Sequence, residues 1–266
     1  MTSKTTKFDL VANAKDSLAH AVAHISNTED KSPSKWKIAV REVAHVVELL
    51  LKERLRREHP ALIWIKVDDY SSMDARTVGA EEAALRLHKI CNICLPKSDL
   101  KTLKACRKLR NRIEHCEFQL NEAEAKGIVG RLLSFILDFS KTHLAIDLEK
   151  EFRTDDSWRE LIEIVEFREA HGKVIAEKFI REKTPADTCP ACGEYTFSID
   201  DERCQLCDHH ESLLECEQCK NLFFESECET ATVTFPVTEL TKLFILCCSV
   251  CQLSRPVLYP DSISFQ

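Results

Sequence analysis

Glycine is scarce in this chain, with five residues in 266. Nucleotide-binding folds use glycine-rich loops to bring backbone amides up to a phosphate, and this composition argues against them. Long apolar runs are missing as well. The opening residues Met1-Thr2-Ser3-Lys4-Thr5-Thr6-Lys7 hold nothing like the apolar stretch of a signal peptide. No later segment approaches the roughly 20 apolar residues that cross a bilayer. Both absences lead to the expectation of a soluble, cytoplasmic protein with no membrane partner. Basic residues are nearly missing from the last third. Residues 185–266 hold four of them (Arg203, Lys220, Lys242, Arg255) against fourteen acidic ones, a net of −10. The other thirty-three bases face thirty acids in residues 1–184, a net of +3, so the overall −7 is unevenly placed. The first part can meet a polyanion, and the tail cannot easily do so.

What the chain has is helical periodicity followed by cysteine. Residues 8–26 place Val11, Leu18, Val22 and Ile25 on one side of a first helix. Ser32-Pro33-Ser34 starts a second, with Trp36, Val40, Val43, Val47 and Leu50 on its apolar face, and Pro60 ends it. Residues 61–67 read as a short strand or buried loop. Thr77 is expected to cap a third helix carrying Ala84, Leu85, Leu87, Ile90 and Cys94. A fourth begins after Pro96 with Ser98 as N-cap, and Asn121 with Glu124 makes a capping-box-like start for a fifth. On that fifth helix Gly127 and Gly130 would let a neighbour approach closely. Ser157 and Glu160 open a further helix toward Lys183, with Gly172 a point where it would break. Thr184-Pro185-Ala186-Asp187 reads as a domain boundary. The fold class expected is mainly α: a helical bundle over residues 1–184, then a small β-rich metal-stapled domain over 185–266.

The fourth helix carries the candidate chemistry. Its apolar stripe is Leu103, Cys106, Leu109, Ile113 and Cys116; its other side is Lys101, Lys104, Arg107, Lys108, Arg110, Asn111, Arg112 and His115. Near its end, Asn111 and His115 lie one turn apart on one face, with Arg107 one turn before Asn111, so carboxamide, imidazole and guanidinium groups are expected to face a shared volume. Such groups hold a phosphate and move a proton without a metal. The same Arg-to-His spacing recurs at Arg54 and His59, but there Leu55 follows the Arg and Pro60 follows the His, so that segment reads as a charged helix end running into a turn. His20, His24 and His45 are read as core-edge residues rather than ligands, and Cys91, Cys94, Cys106 and Cys116 as small core residues.

Arg110-Asn111-x3-His115 on a late helix of a small helical domain resembles the HEPN superfamily, whose hallmark is Arg, a polar residue, and His after a short spacer. The resemblance covers roughly residues 8–147. It implies a metal-independent endoribonuclease, of the kind found in toxins and anti-phage defence systems, acting as a homodimer in which two motif helices share one cleft. Arg110, Asn111 and His115 take the motif positions. With no metal to activate water, the RNA 2′-hydroxyl is the expected nucleophile, His115 the general base or acid, Arg110 the stabiliser of phosphoryl charge, and Asn111 the orienting group. The alternative it also implies is a non-catalytic scaffold or RNA-binding protein that docks partners through its acidic tail.

Fourteen cysteines point to metal sites in a reducing compartment rather than to disulfides. Eight of them form Cys189-x2-Cys192, Cys204-x2-Cys207, Cys216-x2-Cys219 and Cys248-x2-Cys251. Four such pairs suffice for two tetrahedral Zn²⁺ sites, structural rather than catalytic because four thiolates close the coordination shell. Consecutive pairing, a double zinc ribbon, is preferred; a cross-braced arrangement stays open. Cys228 and Cys247 are left over.

Overall fold

The structure, a computed structural model, describes residues 9–26, 32, 34–70, 72, 74–153, 157–216, 219–227, 229–233 and 243–247. The chain divides into two compact units, Met1–Lys178 and Phe179–Gln266. It is mainly helical, and among the described residues no helix is long and apolar enough to cross a membrane.

The first unit is built on α2 (Ser34–Glu58), which packs against α1 (Leu10–Ser26), α3 (Ala80–Cys91), α4 (Lys97–His115) and α5 (Glu122–Leu144). It can serve four neighbours because its apolar surface is broad. Trp36, Val40, Val43, Val47, Leu50, Leu51 and Leu55 are all buried. Leu18, Leu87, Leu109, Leu132, Ile136 and Phe139 close the core from the other helices. Two charged residues sit inside it with partners. Lys52 Nζ donates to Glu48 Oε1 at 2.6 Å and Thr77 Oγ1 at 2.9 Å; Glu53 accepts from Arg56 Nε at 2.7 Å and Arg57 Nε at 2.9 Å. Burial alone would raise the Glu53 pKa, but the two guanidinium groups outweigh it and hold it below the usual carboxylate range.

Several helix ends differ from expectation. Thr77 does not cap α3; it forms a bridge to Trp64, and Gly79 takes the cap position. Residues 60–69 form two 3-10 turns, Pro60–Ile63 and Val67–Asp69, rather than a strand. Arg86 on α3 satisfies the carbonyls of Leu62 and Trp64 at 2.7 and 2.6 Å. α3 stops at Cys91 because Asn92 turns left-handed (φ 55°), which leaves Cys94 exposed outside it, with Leu85 and Ile90 also on the outer face. Pro96, not Ser98, holds the α4 cap position, and no side chain caps it. At α5 the expectation holds: Asn121 accepts from the Glu124 amide at 3.1 Å, while the Glu124 carboxylate faces Arg112 Nη2 at 3.4 Å.

After α5 the chain makes α6 (Leu148–Phe152), capped by Asp147, then α7 (Ser157–Glu163) and α8 (Val165–Glu182). The break falls at Ile164, not at Gly172, which lies within α8. Gly130 explains the place. A Cβ there would come 2.7 Å from the Phe167 backbone nitrogen and 3.0 Å from the Glu166 carbonyl carbon, so only glycine admits the start of α8. Gly127 meets only the mobile end of Arg131.

His171 lies between Phe167 and Trp158 at centroid distances of 5.3 and 5.8 Å, with its Nε2 3.4 Å from Glu149 Oε2. Burial would raise the Glu149 pKa, but His171 and Arg153 outweigh it and bring it down to about 2. A carboxylate depressed in the folded state stabilises the fold above its unfolded pKa, and that stability is lost as pH falls toward the folded value. Roughly 3 kcal/mol is therefore expected to disappear between about pH 4.5 and pH 2. Urea melts of the wild type and of Glu149→Gln across this window test it; a parallel pH dependence in both proteins would contradict the assignment.

The second unit carries short strands. β1 (Ala186–Asp187), β2 (Phe197–Ser198) and β3 (Arg203–Cys204) form one antiparallel sheet. β4 (Leu213–Glu215) pairs with β5 (Leu222–Phe224), and β6 (Glu229–Val233) with β7 (Leu243–Cys247), placing Glu229 opposite Cys247. Phe197 and Phe224 meet edge to face, centroids 4.9 Å apart, joining the first sheet to the second.

Candidate functional site

Two places answer to the motifs read from the sequence. In the second unit, Cys189, Cys192, Cys204 and Cys207 bring their four sulfurs within 4.8 Å of one another. Cys189 Sγ lies 3.7 Å from Cys207 Sγ, and Cys192 Sγ 3.8 Å from Cys204 Sγ. A tetrahedral ion with metal–sulfur bonds of about 2.3 Å requires sulfur–sulfur edges of about 3.8 Å. The donor set therefore fits a tetrahedral metal ion, and the pairs that converge are consecutive in the chain. These four and Cys91, Cys94, Cys106, Cys116, Cys216 and Cys219 are thiols, none in a disulfide.

The backbone explains the convergence. In the first turn the Cys189 amide donates to the Glu194 carbonyl at 2.8 Å and the Gly193 amide returns to the Cys189 carbonyl at 2.9 Å. The second repeats this with Cys204 to His209 at 2.8 Å and Asp208 to Cys204 at 3.1 Å. Each needs a left-handed residue after its second cysteine, supplied by Gly193 (φ 77°) and Asp208 (φ 62°). The amides of Leu206 and Cys207 point at Cys204 Sγ from 3.4 and 3.3 Å. Cys204 accepts from the Cys189 and Cys207 thiols and from these amides, which lowers its pKa; the same sharing holds Cys189 up to about 12 and raises Cys207.

Cys216-x2-Cys219 builds the same turn. The Cys216 amide donates to Asn221 at 2.9 Å, the Lys220 amide to Cys216 at 2.8 Å, and Lys220 is left-handed (φ 63°). Cys216 is buried and Cys219 exposed. Cys248 and Cys251, expected to complete that site, lie outside the described residues, as does Cys228.

The second place is α4. Its helix is unbroken from Lys97 to His115, so position around the axis follows from 3.6 residues per turn. Asn111 and His115 share one face. Arg110 does not join them, because five residues put about 140° between Arg110 and His115. The guanidinium and the imidazole therefore do not face one volume within a single helix. Arg110 Nε instead pairs with Glu114 Oε1 at 3.1 Å, which Arg41 of α2 also approaches at 3.8 Å. His115 is left in the open, its side chain 73% exposed, with Glu114 Oε2 at 3.9 Å as its one charged neighbour among the described residues. Arg107 is held by Glu81 at 3.2 Å.

The row that does share the Asn111–His115 face is Lys97, Lys101, Lys104 and Lys108, one turn after another over about 27 Å of helix. All four are exposed, and none forms an ion pair among the described residues. The buried stripe opposite is Leu103, Cys106, Leu109 and Ile113. Burial pushes the Cys106 thiol up to about 12, as befits a small core residue, whereas Cys116 falls just past the helix end and is exposed. Beside the helix end, Arg112, Phe118, Leu120, Asn121 and Glu124 line an open concavity of about 570 Å³.

The Arg54–His59 pair has structural work. Arg54 Nη1 pairs with Glu58 Oε2 at 3.4 Å, and His59 Nδ1 accepts from the Ala61 amide at 3.1 Å, capping the 3-10 turn. Ser134, His171 and Glu149 stand in the order of a hydrolase triad, but Ser134 and His171 are each 3% exposed and belong to the core. No family model, no curated protein and no solved structure matches this chain, so its function rests on these residues and their geometry.

Proposed function

We propose that this chain is a HEPN-type RNA-binding protein that cleaves RNA without a metal at the C-terminal end of α4, as a homodimer. The observation that carries the reading is the row Lys97, Lys101, Lys104, Lys108, Asn111 and His115: a track of exposed cations, without ion pairs among the described residues, ending in an exposed imidazole. The lysines neutralise successive phosphates. At the end of the track the 2′-oxygen bonds to phosphorus and the bond to the 5′-oxygen breaks. One His115 accepts the 2′-proton and another protonates the leaving oxygen. A two-fold axis supplies the second His115 and a second Arg110 to the same cleft, which meets the 140° separation on a single helix.

A second reading, an RNA-binding scaffold without activity, is favoured by Glu114, whose carboxylate occupies Arg110 and neighbours His115. In both readings the four-cysteine cluster holds Zn²⁺ as the first half of a double zinc ribbon, with Cys216, Cys219, Cys248 and Cys251 as a second structural site. The acidic tail then serves a protein partner rather than nucleic acid.

The track is tested by the salt dependence of RNA binding. Lys101→Ala, Lys104→Ala and Lys108→Ala together are expected to reduce the slope of log K against log salt by about 2, at about 0.7 per phosphate on a single strand. An unchanged slope in a folded triple variant would sink the track.

A further inference from the structure

Away from the cysteine cluster and α4, helices α1 and α2 bring together another set of donor atoms. His20 and His24 lie one turn apart on α1. Their Nε2 atoms approach to 3.1 Å with the rings 79° apart in plane, and the other nitrogen of His20, Nδ1, lies 3.5 Å from Glu42 Oε1 on α2. His24 is half-buried, as the sequence pattern suggests, whereas His20 is exposed. The His20 side chain is 55% exposed and its Nε2 points at a neighbour of its own kind.

We propose that His20 and His24 chelate a late first-row divalent ion through their Nε2 atoms, with Glu42 orienting His20 from behind. An imidazole that ligates a metal through one nitrogen commonly gives the N–H of the other to a carboxylate. That partner fixes the tautomer and raises ligand basicity. Glu42 lies 3.5 Å from His20 Nδ1, on the side such a carboxylate would take, which leaves Nε2 as the ligating nitrogen. Imidazole suits Zn²⁺, Cu²⁺ and Ni²⁺ among the common ions. With metal–nitrogen bonds of about 2.0–2.1 Å, a 3.1 Å separation subtends an angle near 100°. That lies midway between the right angle of square-planar or octahedral coordination and the tetrahedral angle, so the bite admits Ni²⁺, Cu²⁺ or Zn²⁺. Because His20 is exposed and His24 half-buried, water can reach the pair and complete the shell. The four-sulfur cluster offers softer, thiolate ligands than this imidazole pair.

The test is a calorimetric titration of the full chain, with its cysteine sites already filled with Zn²⁺, using Ni²⁺ as the probe. The wild type is expected to take up Ni²⁺ at this site. His24→Ala and His20→Ala are each expected to weaken uptake at least tenfold, and Glu42→Gln about tenfold, the scale on which outer carboxylates act. His88→Ala, which removes the imidazole 3.1 Å from the exposed thiol of Cys94, is expected to leave it unchanged. Far-UV circular dichroism confirms that each variant is folded. Uptake retained in His20→Ala and His24→Ala, or lost only in His88→Ala, would overturn the proposal and leave the 3.1 Å contact as a hydrogen bond between two rings.

Discussion

Replacing His115 by Ala is expected to lower RNA cleavage at least a hundredfold while the thermal unfolding of the helical unit stays where it was. The first half follows from general acid–base catalysis, which contributes roughly 10²–10⁴ in rate. The second follows from exposure: a side chain 73% open to water, with no hydrogen bond among the described residues, holds nothing together. Arg110→Ala is expected to cost about a hundredfold, the scale of a lost charge-stabilising donor. Its pair with Glu114 is a part-exposed i,i+4 contact worth only about 0.3–0.5 kcal/mol. His59→Ala should behave in the opposite way. It removes the acceptor of the Ala61 amide and the ring beside Tyr70, so about 1 kcal/mol of stability is lost and the rate is kept. Cleavage that survives His115→Ala and vanishes in His59→Ala would show that the wrong Arg–His pair was chosen.

The second large effect concerns metal. Cys204→Ser is expected to remove one tightly held ion per chain and to unfold the region around residues 186–210, with the helical unit intact. Strands of two residues, β1 to β3, cannot hold a sheet by themselves. The ion contributes folding free energy on the order of 10 kcal/mol in small sites of this kind. Elemental analysis with hydrogen exchange checks both parts. Full metal content in Cys204→Ser, or loss of protection reaching α2 and α5, would contradict the layout.

How much of this was legible in the sequence depended on whether a feature was local. α1, α2 and α5 were readable because long apolar stripes repeat every three or four residues, and the Asn121 cap because it acts within one turn. The Cys189–Cys207 cluster was readable for the same reason, since each Cys-x-x-Cys turn closes on its own backbone. Features set by a neighbour were not. Gly130 matters because Phe167 crosses it, and that displaces the helix break from Gly172 to Ile164. Cys94 looked helical until Asn92 turned the chain left-handed. At the candidate site, spacing joined Arg107 to Asn111 and His115, but Glu81 from another helix holds Arg107, and only the family resemblance paired Arg110 with His115. An unbroken α4 separates them around its axis, while it aligns Lys97, Lys101, Lys104 and Lys108 with His115. His20 and His24 read as core-edge residues, since the neighbour that sets His20 apart, Glu42, comes from another helix.

The most direct measurement is incubation of the purified protein with a mixed RNA pool, chelator present throughout, followed by analysis of the new 3′ ends. Attack by the 2′-hydroxyl predicts fragments ending in 2′,3′-cyclic phosphate, formed without added metal, with a DNA pool left whole. RNA that is bound but uncut, cleavage that appears only with Mg²⁺, or cleavage of DNA would contradict catalysis at α4.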